Sequence, residues 1–146
     1  MAPKAYELVL YGATGIFARK ALTSGYTGKL AARYIVQNCP TTLKWAVGGR
    51  SPSKLSQVVD DIKPLNANRT PPGIIVADAD DLLSLRSLAA STKVVISVAG
   101  PFAKFLLQLS ADCRFGSKLV QACAENGTHY ADITGETPWY ALKILL

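Results

Sequence analysis

Cysteine, histidine and early acid are scarce in this 146-residue sequence, which holds three cysteines and one histidine. The odd-numbered set Cys39, Cys113 and Cys123 has no CxxC or Cys/His spacing. That excludes a disulfide-dense scaffold, argues against a metal site, and fits the reduced thiols of an intracellular protein. His129 stands alone, with no Ser or Cys placed beside it for nucleophilic catalysis. A long apolar run is also missing. The nearest, 94–111, is interrupted by Gly100-Pro101 and Lys104, and reads as strand, loop and helix start, so no transmembrane segment is expected. Met1-Ala2-Pro3-Lys4 leads straight into a strand-like stretch without a signal-peptide core, so a cytoplasmic chain is expected. With 49% apolar and 18% charged residues, disorder and collagen-like repeats are excluded. One domain of this length can bury roughly 70% of its unfolded surface.

Charge is unevenly placed. Residues 1–59 carry eight bases and one acid, Glu7, whereas 60–146 carry eight bases and nine acids. The net +6 would suit a nucleic-acid binder, but no basic stripe interleaved with aromatics accompanies it, so no nucleic-acid partner is expected.

Short apolar runs rich in β-branched residues lie at 7–11 (ELVLY), 43–47 (LKWAV), 73–77 (GIIVA), 93–98 (KVVISV) and 128–133 (THYADI). Strands apolar on both sides suit a parallel sheet covered by helices on both faces. Helix signals alternate with them. The stretch 29–37 sets Leu30, Ala31, Tyr34 and Ile35 on one stripe, and 51–62 opens with Ser51-Pro52 before Leu55, Val58, Val59 and Ile62. The stretch 81–91 repeats the pattern with Leu82, Leu85, Leu88 and Ala89; 118–126 does so with Leu119, Ala122 and Cys123, ending at Asn126-Gly127. A cap followed by first-turn proline, and a terminal glycine, are the expected punctuation. The fold class is therefore α/β, a Rossmann-like, doubly wound parallel sheet of about five strands.

Chemistry is expected at the strands' carboxyl ends. After the first strand come Gly12, Ala13, Thr14, Gly15 and Ile16. Glycines there allow a tight turn and bring backbone N–H groups to a pyrophosphate, with the next helix offering its positive end. Ala18 occupies the third small position, giving Gly12-x-x-Gly15-x-x-Ala18. The second strand ends Gly48-Gly49-Arg50-Ser51, with no acid for a ribose 2′-hydroxyl. Arg50 can instead grip a 2′-phosphate, with Ser51 beside it, which favours NADP. Asp78 and Ala79 follow the third strand, where Asp78 could accept from an adenine amino group and Asp80 or Asp81 would cap the next helix. Ala99, Gly100 and Pro101 follow the fourth, where small residues let a cofactor pass close to the backbone. Tyr26 and Lys29 stand three apart, one short of the Tyr-x-x-x-Lys pair of short-chain reductases, and the catalytic residues stay unknown.

The strings LVLYGATG, YTGKLAARYI, LKWAVGGRSPSKL, VADADD, VVISVAGPFAK and LVQACAENGTHYADITGETPW together resemble the saccharopine dehydrogenase-like oxidoreductases, including the trans-acting enoyl reductase group. The resemblance implies an NADP-binding Rossmann domain over 1–139 and, in the family, a second C-terminal domain completing the substrate site. It also implies links to lipid metabolism and to lipid-droplet or membrane fractions. Three departures stand out. Residues 16–25 (IFARKALTSG) separate GATG from YTGKL, residues 105–114 (FLLQLSADCR) follow GPFAK, and 140–146 (YALKILL) replace the family's continuation. They read as inserts and a non-family tail, from retained non-coding segments or a mispredicted gene, leaving the substrate domain absent and self-association expected. The first insert leaves two placements for the first helix. It starts at Ile16, the preferred placement, or near Tyr26, with Gly28 as the close-packing residue.

Overall fold

The computed structural model describes residues 3–13, 26–99 and 116–133. Among the described residues, five strands alternate with four α-helices. They run in the order β1 (Tyr6–Tyr11), α1 (Tyr26–Asn38), β2 (Trp45–Gly49), α2 (Pro52–Ile62), β3 (Gly73–Val76), α3 (Leu82–Ser91), β4 (Thr92–Ser97), α4 (Ser117–Glu125) and β5 (His129–Asp132). The strands form one sheet ordered β3-β2-β1-β4-β5, and every pairing is parallel. This is the Rossmann-like, doubly wound arrangement expected from the sequence.

The central strands β1, β2 and β4 serve two cores because their successive side chains point to opposite faces. On one face Leu10 and Val47 pack with Ala32, Ile35 and Val36 of α1 and with Leu55, Val58 and Ile62 of α2. On the other, Val9, Ala46 and Val95 pack with Leu85 and Leu88 of α3 and with Leu119, Ala122 and Cys123 of α4. A fully buried Leu or Val contributes roughly 1.5–3 kcal/mol, so these two layers carry the fold. Cys39 and Cys123 are both free, and burial pushes the Cys123 thiol up to about 11, which leaves it unreactive.

The helix ends follow local chemistry. Asp81 caps α3 by accepting the Leu83 N–H at 3.0 Å. Asn126 closes α4 and Gly127 turns at φ +56°; the Gly127 and Thr128 N–H groups bond back to Ala124 and Cys123, a complete Schellman stop. Ser51 occupies the cap position of α2, with Pro52 opening the helix, but makes no capping bond.

One expectation needs correcting. Of the stripe Leu30, Ala31, Tyr34 and Ile35, Ile35 is buried and Ala31 packs against the core, but Leu30 and Tyr34 do not face it. Leu30 is 46% and Tyr34 64% exposed, and the buried residues are Gly28, Ala32, Ile35 and Val36. The reason is steric. A Cβ at Gly28 would lie 2.6 Å from the Ala13 Cα and 2.7 Å from its carbonyl oxygen. Close approach of the helix to the turn after β1 therefore sets its rotation, turning Gly28 and Ala32 inward with Ile35 and Val36 and leaving Leu30 and Tyr34 outside.

Candidate dinucleotide site

The first two crossovers, β1 to β2 to β3, run one way along the sheet, and the chain then returns past β1 to place β4 on its other side. The reversal between β1 and β4 opens a crevice at the strands' carboxyl ends, where ligands bind in open α/β sheets.

Gly12 stands at that crevice. Its φ is +85°, a region that costs any residue with a side chain. Its N–H donates to the Gly48 carbonyl at 2.9 Å, and the neighbouring Tyr11 carbonyl accepts from Val98 at 2.9 Å. The turn is thereby fastened to β2 on one side and to β4 on the other. A Cβ at Gly12 would sit 2.6 Å from the Ala99 Cβ and 2.7 Å from its nitrogen. The expected residues Gly12, Ala13 and Ala99 thus come together at the switch point, and Gly28 closes over Ala13 from α1. Gly28 is the close-packing glycine of the placement not preferred from the sequence. Thr14, Gly15, Ile16, Gly100 and Pro101, and a helix start at Ile16, lie outside the described residues.

The remaining expected residues gather at the ends of β2 and β3. Arg50 is exposed and Ser51 half-exposed. Among the described residues Arg50 has no ion-pair or hydrogen-bond partner, and the Ser51 hydroxyl lies 3.3 Å from that of Ser53. The Asp78 Oδ1 accepts the Asp80 N–H at 3.0 Å, and the Asp78 carbonyl accepts the Asp81 N–H at 3.1 Å. This Asx turn orients the carboxylate and also contains the half-buried Ala79. Lys118 of α4 donates to the Asp80 carbonyl at 2.9 Å, tying the turn to the next helix.

Sequence reasoning gave no part to Tyr11, the last residue of β1. Its ring packs across Gly48 and its hydroxyl donates to the Ala77 carbonyl at 3.4 Å. Burial raises the hydroxyl well above the ordinary phenol range; the Asp78 carboxylate adds to this and the Arg50 guanidinium opposes it. The ends of β2 and β3 therefore converge on one buried phenol. An aromatic residue just before the first glycine of the turn was the available signal.

A glycine-tight turn at a topological switch point, with a cation and no acid ending β2, defines a dinucleotide-binding domain. The residues fit such a group, because Gly12 makes a positive-φ turn at the switch point where a side chain would collide with Ala99 and Arg50 is unpaired among the described residues. The particular kind follows from comparison with known proteins. Residues 22–144 match the saccharopine dehydrogenase NADP binding domain, and the chain belongs to that family. It is similar to the trans-acting enoyl reductase of Mycobacterium ulcerans, 36% identical over 135 residues, or 92% of this chain and 27% of that protein. The lipid droplet localized protein of Caenorhabditis elegans is 33% identical over 136 residues, again 92% and 27%. The chain thus spans about a quarter of the length of these relatives. Apo saccharopine dehydrogenase (L-Glu forming) from Saccharomyces cerevisiae shares the fold, with a TM-score of 0.64 at 14% identity, covering 94% of this chain and 23% of that one. The chain is an NADP-binding domain of saccharopine dehydrogenase-like oxidoreductases. Among the described residues, no helix is long and apolar enough to cross a membrane.

Proposed function

We propose that this domain holds NADP(H) in preference to NAD(H), and that within a longer polypeptide it presents the nicotinamide for hydride transfer. The observation that carries the preference is the end of β2. Arg50 is exposed there, without an acid at the ribose position, and the Ser51 hydroxyl does not cap α2. A guanidinium forks onto phosphate oxygens, and the hydroxyl adds one donor. In this reading the turn at Gly12, Ala13, Thr14, Gly15 and Ile16 receives the pyrophosphate, Asp78 borders the adenine with Ala79 beside it, and the small residues Ala99, Gly100 and Pro101 let the central phosphates and nicotinamide ribose come close to the backbone. The bound nicotinamide supplies or accepts the hydride; this chain's residues bind and orient it.

Replacing Arg50 with alanine is expected to weaken NADPH binding roughly 10–100-fold, the loss of one to two charge-assisted hydrogen bonds. NADH affinity should not change. Fluorescence titration with both nucleotides checks this, and an unchanged NADPH/NADH ratio overturns the assignment.

The spacing around the turn supports a second element of the proposal. Gly28 in the first turn of α1 meets Ala13, and a connection of twelve residues, 14–25, joins Ala13 to that helix. Without 16–25 the chain reads Gly12-x-x-Gly15-x-x-Gly28, a dinucleotide fingerprint with α1 starting directly after the turn. We therefore read 16–25, and by the same pattern 105–114, as interruptions of the family sequence. Shortening a twelve-residue connection to two lowers loop-closure entropy by about 1–2 kcal/mol. Deleting 16–25 is expected to raise the melting temperature and to tighten NADPH binding about tenfold, as the helix N-terminus comes to the phosphates. A variant that unfolds or loses NADPH shows that the segment belongs to the fold. The name of the nematode relative also supports a lipid-droplet location, which fractionation of a tagged chain tests.

A further inference from the structure

The peptide between Ala77 and Asp78, which leads from the end of β3 into the Asp78 turn, is held from both sides. Its carbonyl accepts the Tyr11 hydroxyl at 3.4 Å, and its N–H donates to the Ser84 Oγ at 3.1 Å. Ser84 is fixed in turn, since its hydroxyl donates to the Asp81 carbonyl at 2.9 Å in the first turn of α3. On the other side of Ala77, its own N–H donates to the Gly49 carbonyl at 3.0 Å. A planar peptide held at both its oxygen and its N–H sets the direction in which the following side chain leaves the backbone. That side chain is the Asp78 carboxylate. Its Oδ1 accepts the Asp80 N–H, and its other oxygen has no hydrogen-bond donor among the described residues.

Tyr11 reaches that carbonyl from β1, which lies two strands away from β3, about 10 Å at ~4.8 Å per strand. The ring crosses β2 at Gly48, where a Cβ would press on the Tyr11 Cδ2 at 3.2 Å. Phenylalanine would fill the same place in the α3–α4 core. Tyr11 is only 5% exposed, and burying a hydroxyl has a desolvation cost that one bond of 3.4 Å recovers only in part. Stability therefore does not call for a hydroxyl here. The hydroxyl also lies within the field of both Asp78 and Arg50, the first opposing its ionisation and the second favouring it.

We propose that Tyr11 is a positioning residue for base recognition: together with Ser84 it pins the peptide between Ala77 and Asp78, and so aims the Asp78 carboxylate at the exocyclic amino group of the adenine. Tyr11 touches no part of the nucleotide and acts through Asp78. Its effect is on the choice of base, adenine over a purine that carries a carbonyl in place of the amino donor. The inference rests on the reading that Asp78 borders the adenine, and is independent of the 2′-phosphate preference assigned to Arg50.

The test titrates this chain and its variants with NADPH and with the hypoxanthine analogue of NADPH, which lacks the amino group. Tyr11→Phe is expected to weaken NADPH binding about fivefold, the scale of one modest hydrogen bond, and to leave affinity for the analogue unchanged. Ser84→Ala should do the same, and Tyr11→Phe added to Asp78→Ala should have no further effect. Equal weakening toward both nucleotides, or none, overturns the proposal. If Asp78→Ala leaves the preference between the two nucleotides as it was, the adenine reading itself fails and this inference with it. Hydrogen exchange in the nucleotide-free chain tests the pin separately. The Asp78 and Asp80 amides should exchange several-fold faster in Tyr11→Phe, while the Leu83 amide, held by Asp81, stays as in the parent. Unchanged exchange at Asp78 and Asp80 overturns the proposal whichever nucleotide binds, and equal quickening at Leu83 does so by making Tyr11 a residue of the fold alone.

Discussion

A Gly12→Val variant is expected to lose NADPH affinity by at least a hundredfold and to lower stability by about 3 kcal/mol, the scale of strain plus overpacking at one site. Two costs combine. The φ of +85° excludes a β-branched residue almost entirely. The first side-chain carbon would also meet the Ala99 Cβ at 2.6 Å and the Ala99 nitrogen at 2.7 Å. Relief requires β1 and β4 to part at their carboxyl ends, where Val98 donates to the Tyr11 carbonyl. That opening is the crevice into which the dinucleotide must fit. Loss of binding could follow from loss of fold alone, so a second glycine serves as the control. Gly73 opens β3 at the opposite end of the sheet, and a Cβ there would collide with the Tyr6 hydroxyl. Gly73→Ala is expected to lower the melting temperature yet bind NADPH as the parent chain does. Equal binding loss in both variants would mean that Gly12 matters only for folding.

The strands were legible because each is a short β-branched run bounded by turn residues, and the order of helices between them left few topologies open. The face of α1 was not. Hydrophobic periodicity weights large side chains, and Leu30 and Tyr34 outweigh Gly28 and Ala32 in such a pattern. The contact that orients the helix is an approach of backbone to backbone at Ala13, which only a missing side chain permits. The same blindness made Gly28 the less preferred choice, since the ten residues 16–25 stand before it and Ala18 occupies the third small position of the pattern. At the ends of β2 and β3 the sequence singles out Arg50, Ser51 and Asp78 as candidates. It could not show that Tyr11 reaches beneath them, because that depends on the stagger of three strands.

Arg69→Met is expected to destabilise the domain by about 3–5 kcal/mol, the cost of leaving several buried carbonyl oxygens without a donor at ~1–3 kcal/mol each, and to lower the melting temperature by roughly 10 °C or more. Arg69 lies between α2 and β3 in a stretch that reads as plain loop, yet it is only 7% exposed. Its guanidinium donates to the carbonyls of Ile35 at 2.8 Å, Val36 at 3.2 Å, Cys39 at 3.0 Å and Pro40 at 2.7 Å. These carbonyls belong to the last turn of α1 and the two residues beyond it. Helix carbonyls at a C-terminus need donors and favour a cation. α1 has no basic residue in its own last turn and runs into Asn38-Cys39-Pro40 without a capping glycine. Arg69 supplies the missing donors from thirty residues away, so α1 is held at one end by Gly28 on Ala13 and at the other by this guanidinium. Methionine keeps much of the stem's packing and removes every donor. Lysine keeps the charge but cannot present the planar fork to four acceptors, and should recover no more than half of the loss. Thermal melts rank the three chains, and hydrogen exchange should quicken first in the last turn of α1. A methionine variant as stable as the parent would mean that water satisfies those carbonyls as well as Arg69 does.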